Sequence, residues 1–280
     1  MLNHSKRNLP RPSTPAAAIL VAVLSALTPV ASTIAATGGA ADQGAADKQS
    51  LAEKATDPTA ALMSFQLNDI YTASFHGVDG TANQLLFRAA LPWALAGRQH
   101  IFRVSQPYVT SSRGGNSGLG DTQVFDLATF DQAWGRLGVG LVASLPTGGN
   151  GLSSDKWTLG PAVGFVNSAT KGRNWGLFAQ TFFSVAGDSD APDIGIINLQ
   201  PIFSYQLGKG RSLSAGNSAL IYDTRNSRWA SLLLGVNYGQ VIGLWGHKWR
   251  PNVEVDYDFK DTRGNQEWVF RVAAVLLVPK

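Results

Sequence analysis

The chain has 280 residues, 44% of them apolar and only 15% charged, and it contains no cysteine. The missing cysteine excludes disulfides, thiolate metal sites, cysteine nucleophiles and lipoprotein processing. Three of the 23 Lys and Arg fall in the first 36 residues, which hold no acid, so 20 basic residues face 19 acidic ones in the rest, and nucleic-acid binding driven by net charge has no support.

The first 36 residues read as a secretory signal peptide. Lys6, Arg7 and Arg11 flank an apolar stretch of 12 residues, Ala16 to Leu27, too short to span a bilayer. Small residues follow, and cleavage is expected near Ala35 or Ala36. Residues 37–61 form a lead-in. Thr37 to Ser50 is rich in Ala, Gly, Asp and Gln, a flexible composition, while LAEKATDPTAA from Leu51 can form a short helix broken near Pro58. A disordered periplasmic lead-in is favoured over a plug in a lumen, because an isolated short helix is marginal.

From residue 62 to 280 the chain carries twelve mostly alternating segments: 62–73, 84–93, 100–110, 121–130, 136–146, 157–168, 174–185, 194–207, 212–222, 229–240, 248–259 and 267–278. A tilted strand needs about 9–11 residues to cross the hydrocarbon slab. In the first segment Met63, Phe65, Leu67 and Tyr71 oppose Ser64, Gln66 and Asn68. In the eighth, Ile197, Leu199, Phe203, Tyr205 and Leu207 oppose Asn198, Gln200, Ser204 and Gln206. In the eleventh, Trp249, Val253, Val255, Tyr257 and Phe259 oppose Asn252, Glu254, Asp256 and Asp258. Carboxylates in hydrocarbon are costly, so the polar faces belong inside. The fourth and seventh segments alternate poorly and their facing stays open.

Compact turns near 94–99, 131–135, 170–173, 208–211 and 241–247 alternate with generally longer loops. Short turns on the periplasmic side put both barrel termini there. Trp93, Trp134, Trp175, Trp245 and Trp249 then mark the inner rim, and Trp157, Trp229 and Trp268 the outer one, as amphipathic rings prefer. The expected fold is all-β: a transmembrane antiparallel barrel of about twelve strands in the outer membrane of a Gram-negative envelope, with lipids around it. A soluble sandwich or an eight-stranded lipocalin-like barrel fits less well.

Short motifs spread along the chain carry a resemblance. They are Leu51-Ala-Glu-Lys with Asp57-Pro-Thr, Leu86-Phe-Arg with Leu91-Pro, Arg103 with Gln106-Pro107, and Ser117-Gly-Leu-Gly-Asp-Thr122. Leu145-Pro-Thr-Gly148, Lys156-Trp-Thr-Leu-Gly-Pro161 and Pro279-Lys280 complete the set. In these the chain resembles the outer-membrane β-barrel family associated with the meta-cleavage pathway of phenol degradation. The resemblance implies an outer-membrane channel or transporter. The chain ends Leu277-Val-Pro-Lys280, whereas many outer-membrane barrels present a terminal aromatic residue to the assembly machinery.

With polar faces inward, Arg88, Arg103, Glu254, Asp256, Asp258 and Arg271 are the pore-lining candidates. Arg271 is expected to pair with Glu254 or Asp256 across adjacent strands. Arg88 and Arg103 have no neighbouring acid in this reading and are candidates for an anionic solute. Inward Gly138, Gly140, Gly160, Ala162 and Gly164 leave lumen space, admit a plug, or mark a sharply curved wall. Ser74 beside His76 lacks a group to orient the base, and Asp188, Asp190 and Asp193 lack a calcium-loop spacing. The expected role is therefore passive passage of a small solute, aromatic or hydrophobic by the resemblance, with no enzyme activity and no cofactor. A lipid-modifying enzyme and an adhesin or structural barrel are the alternatives.

Overall fold

The computed structural model describes residues 50–149 and 151–279. The expected signal peptide and the first part of the lead-in lie outside the described residues. The elements are α1 (Leu51–Lys54), β1 (Met63–Thr72), β2 (Ala82–Leu95), β3 (Arg98–Ser111), β4 (Gly118–Leu119), β5 (Thr122–Gln132), β6 (Gly135–Leu145), β7 (Lys156–Asn167) and β8 (Arg173–Gly187). They continue with β9 (Gly195–Gly208), β10 (Arg211–Ser214), β11 (Ala219–Asp223), β12 (Arg228–Gln240), β13 (Ile242–Leu244), β14 (His247–Asp258) and β15 (Trp268–Val278).

These runs close into a twelve-stranded antiparallel barrel. β1 joins the two ends of the chain, pairing with β2 on one side and with β15 on the other, from Met63↔Val278 to Thr72↔Val269. β10 and β11 together fill one position between β9 and β12, and β13 prolongs β12. Closure satisfies the backbone of every strand, which a sheet in lipid requires.

Three of the compact turns are Ala96-Gly97, Lys209-Gly210 and Trp245-Gly246, and both residues of each have positive φ. That geometry matches the twist of a tight hairpin, and glycine at the second position makes it cheap. On the opposite side the longer loops are tied by side chains. Asp121 accepts hydrogen bonds from the backbone N–H of Gly148 (3.0 Å) and Ser154 (2.8 Å) and from the Ser154 hydroxyl (2.6 Å), which fastens loop 146–155 to the entry of β5. Partial burial works to raise the Asp121 carboxyl, but the Ser154 hydroxyl and these amides outweigh it and hold it below its ordinary value. A depressed carboxyl stabilises the fold above its unfolded pKa of about 3.9 and ceases to do so as pH falls through the folded value. Protection of the amides of residues 147–149 and 151–155, relative to intrinsic exchange at each pH, is therefore expected to be unchanged between pH 7 and 5 and to fall below about pH 4. Equal protection at pH 5 and 3 would remove Asp121 from that role.

The outer wall is apolar: Leu67, Phe87, Leu141, Val185, Phe203 and Val236 are all exposed. Seven tryptophans are exposed at the strand ends, and Trp249 is half-buried beside Trp245. Among the described residues, carboxylates interrupt this surface at Asp69 of β1, which accepts from Asn83 Nδ2 (2.5 Å), and at Asp126 of β5. Asp126 of β5 accepts from the Trp93 indole N–H (2.8 Å) and meets His100 Nδ1 (2.7 Å), so its charge is satisfied near the short-turn rim.

The inner wall mixes polar and apolar patches, which departs from a uniformly polar interior. On β12, β14, β1 and β2 many inward residues are polar, including Asn237, Asn252, Glu254, Gln66 and Arg88, whereas β15 turns Val269, Ala273, Val275 and Leu277 inward beside Arg271. On β3 and β5 to β9 an apolar patch is set among polar inward residues: Ile101, Phe125, Leu127, Val142, Ala162, Phe178 and Phe182 form one buried cluster, with Ile196 and Ile202 packed against it, while Ser105, Thr129, Gln180 and Ser204 are buried on the same strands. This accounts for the poor alternation of the fourth and seventh segments. Phe125 and Leu127 of β5, and Phe178 and Phe182 of β8, point inward from strands whose outer faces, Asp126 apart, are largely apolar too. The inward glycines let neighbouring strands, a ring and the lead-in come close. A Cβ at Gly140 or Gly160 would collide with the backbone of Asp126 or Thr181 on the next strand. A Cβ at Gly164 would lie 2.8 Å from the Phe178 ring, and one at Gly138 would stand 3.6 Å from Thr59 of the lead-in.

Candidate functional site: the barrel lumen

The described part of the lead-in forms the short helix expected from Leu51 and is folded into the short-turn mouth of the barrel, where the sequence favours a disordered segment over a plug. Ser50 and Glu53 make a capping box around α1: Glu53 N–H donates to Ser50 Oγ (3.3 Å), and Ser50 N–H donates to Glu53 Oε2 (2.6 Å). The barrel supplies what an isolated single turn lacks. Gly172 N–H donates to Glu53 Oε1 (2.6 Å), Asn174 Nδ2 donates to the Glu53 carbonyl (3.2 Å), and Thr56 Oγ1 donates to Ser204 Oγ (3.0 Å). Asp57 accepts from Thr59 N–H (2.8 Å) and from Arg136 Nη1 (3.3 Å), and the Thr59 carbonyl accepts from Arg136 as well. Leu51 and Ala55 pack on the opposite wall against Val275 and Leu277. The segment thus touches both sides of the lumen, and Thr59 is wholly buried.

A second obstruction stands deeper in. The strand position shared by β10 and β11 is broken at Ala215–Ser218, and this bulge enters the lumen. Asn217 donates from its backbone N–H (2.7 Å) and from Nδ2 (3.0 Å) to the Glu254 carboxylate, and its Oδ1 accepts from Arg88 Nη1 (3.2 Å). A chain of polar contacts therefore crosses from β14 to β2. Gly216 is needed here: its φ is +61°, and a side chain would run into Glu254.

Between lead-in and bulge lies a cavity of about 180 Å³, lined by the Lys54–Pro58 stretch, Arg88, Arg103, Arg250 and Glu254 among others. Arg88 and Arg103 are diagonal neighbours, since Arg88 pairs with Ser105 and Ala90 with Arg103. The Arg103 guanidinium lies 4.2 Å over the Phe125 ring. Among the described residues neither arginine has a salt-bridge partner within 4 Å, and the Nε of each is buried without a hydrogen-bond partner.

The six pore-lining candidates separate. Arg88, Arg103 and Glu254 reach the cavity. Arg271 sits between two carboxylates, 2.7 Å from Asp256 and 3.4 Å from Glu254, and Asp256 is sealed in the wall. Asp258 lies at the long-loop rim, accepting from the Ser231 hydroxyl (2.7 Å) and from the N–H of Leu232 and Lys260. Arg250, which sequence reasoning passed over, also borders the cavity and donates to Asn237 Oδ1 (2.9 Å). Its place two residues before Asn252, on the inward alternation of β14, was the available signal.

The positions weighed for other chemistry do not come together as a site. His76 Nε2 meets the Asp258 carbonyl (2.8 Å) and Nδ1 faces Asp261 (3.4 Å), while the Ser74 hydroxyl has no partner among the described residues. Asp193 pairs with Lys156 (3.2 Å) and Arg225 (3.4 Å).

No protein-family model matches this chain, and no curated protein does. Solved structures do. The COG4313 outer membrane channel from Pseudomonas putida F1 is similar with a TM-score of 0.59 at 14% identity, covering 85% of this chain and all (100%) of that one. A NanC porin structure is similar with a TM-score of 0.54 at 13% identity, covering 77% of this chain and 100% of that one. The shared feature at these identities is the fold of an outer-membrane barrel.

Proposed function

We propose that this chain is an outer-membrane channel through which small solutes pass passively, with a preference for anions. The observation that carries this reading is the pair Arg88 and Arg103, two buried guanidiniums without a carboxylate partner on the wall of a lumen cavity. Fixed charge at a narrow point sets which ions enter. Three arginines and Lys54 border the cavity against Glu254 and Asp57, so its field favours negative solutes. The likeness to two channel structures supports the same class, and the resemblance to the phenol meta-cleavage family adds aromatic or hydrophobic solutes as the class carried. An outer-membrane location, with the barrel's apolar wall in lipid and its assembly by the outer-membrane machinery, belongs to this proposal. The alternative of a lipid-modifying enzyme finds no support in the Ser74 and His76 geometry.

Planar-bilayer recordings test the proposal. The Arg88→Ala, Arg103→Ala double variant is expected to lose the anion preference of the wild type, its reversal potential in a salt gradient moving toward or past neutrality. An unchanged reversal potential would take both residues out of the solute path.

A further inference from the structure

A polar and an apolar patch of the inner wall meet at Arg103. Its guanidinium rests on Phe125, and Phe125 packs edge-on against Phe178 with ring centroids 5.4 Å apart. Phe125, Phe178, Ile101 and Ile202 border the same cavity as Arg88 and Arg103. A cavity that served small inorganic ions alone gains nothing from such a wall, since burying apolar surface rewards an apolar guest. A wholly apolar guest would leave the Arg88 and Arg103 guanidiniums on the cavity wall without a counter-charge, and unmade hydrogen bonds of charged groups are costly. The cavity therefore suits one molecule with both characters. Its volume of about 180 Å³ sets the scale, since an apolar protein cavity of about 150 Å³ accommodates benzene.

We propose that the lumen binds a short amphiphilic organic anion, its carboxylate held by Arg88 and Arg103 and its apolar body, of about six carbons, lying on Ile101, Phe125, Phe178 and Ile202. A carboxylate offers two oxygens to the two guanidiniums, which are fixed in orientation by Asn217 on one side and the Phe125 ring on the other. The inference rests on the channel reading for its role but makes a claim about equilibrium binding that is measured separately.

The test is calorimetric titration of the purified, folded barrel in detergent with hexanoate, acetate and 1-hexanol. The double variant Arg88→Ala, Arg103→Ala, checked for folding by heat-modifiable gel migration, gives the background of micelle partitioning. Each buried methylene contributes about a fourfold gain in affinity, so hexanoate is expected to bind on the order of a hundredfold more tightly than acetate. Hexanol is expected to show no heat beyond the micelle background, and the double variant to lose the hexanoate signal. Should that variant not fold, Arg88→Lys, Arg103→Lys replaces it, with weakened hexanoate binding expected because ammonium groups lack the planar fork. Ile202→Ser is expected to narrow the gap between hexanoate and acetate without weakening acetate. Equal affinities for hexanoate and acetate, or hexanol binding as well as hexanoate, would overturn the inference. Binding without ion flux in bilayers sinks the channel reading and leaves the site standing, and flux without selective binding does the reverse.

Discussion

A chain lacking residues 50–61 is expected to conduct several-fold more current per channel than the full-length barrel in planar bilayers. Those residues bridge the short-turn mouth, from Asn174 and Ser204 on one wall to Val275 and Leu277 on the other. Few of their contacts are needed for barrel closure, because every strand finds its ladder partners without them. Arg136→Ala is the milder form of the same experiment. It removes the guanidinium that meets Asp57 and the Thr59 carbonyl, and leaves Asp57 buried without that cation. Intermittent opening bursts are expected from that variant, because a segment freed of one anchor samples open states. Conductance equal to wild type in the shortened chain, with folding verified by gel migration, would mean that the lead-in is not what narrows the path. The Ala215–Ser218 bulge would then be the constriction to alter next.

Arg271→Ala is expected to be the most destabilising single substitution in the barrel. Glu254 and Asp256 lie two residues apart on β14, both facing inward and both buried, and Arg271 is the cation they share. Removing one member of a buried charged network leaves the others uncompensated, at a cost of roughly 3–5 kcal/mol. Asn217 and Asn237 also donate to Glu254, so the bulge loosens together with the wall. Denaturant unfolding of the refolded barrel, or the temperature at which gel mobility shifts, reads this loss. Adding Glu254→Gln and Asp256→Asn to the Arg271→Ala background is expected to recover most of it, because neutral amides are cheaper to bury than anions. A small effect of Arg271→Ala, below about 1 kcal/mol, is what an exposed pair would give and would place the cluster in solvent.

Much of the barrel was legible residue by residue. Alternation with period two places Leu67, Phe203 and Val255 outward and Asn68, Ser204 and Glu254 inward, because successive side chains of a strand face opposite ways wherever the strand is. Counting the alternating segments led to twelve strands, and tryptophans at segment ends marked the rims. The fourth and seventh segments resisted because alternation reports a difference between faces. When Phe125 and Phe178 pack inward from strands that already meet lipid, no difference remains to be read.

The sequence by itself determined the antiparallel barrel, its strand count and the inward direction of Arg88, Arg103 and the β14 carboxylates, since each of these follows from local periodicity and the cost of charge in hydrocarbon. Only the tertiary structure decided what the lumen contains. Arg136 meets Asp57 across 79 residues and Arg88 meets Asn217 across 129. Which side chains converge across a closed barrel depends on register and curvature accumulated over all its strands, and no short window of sequence holds that sum.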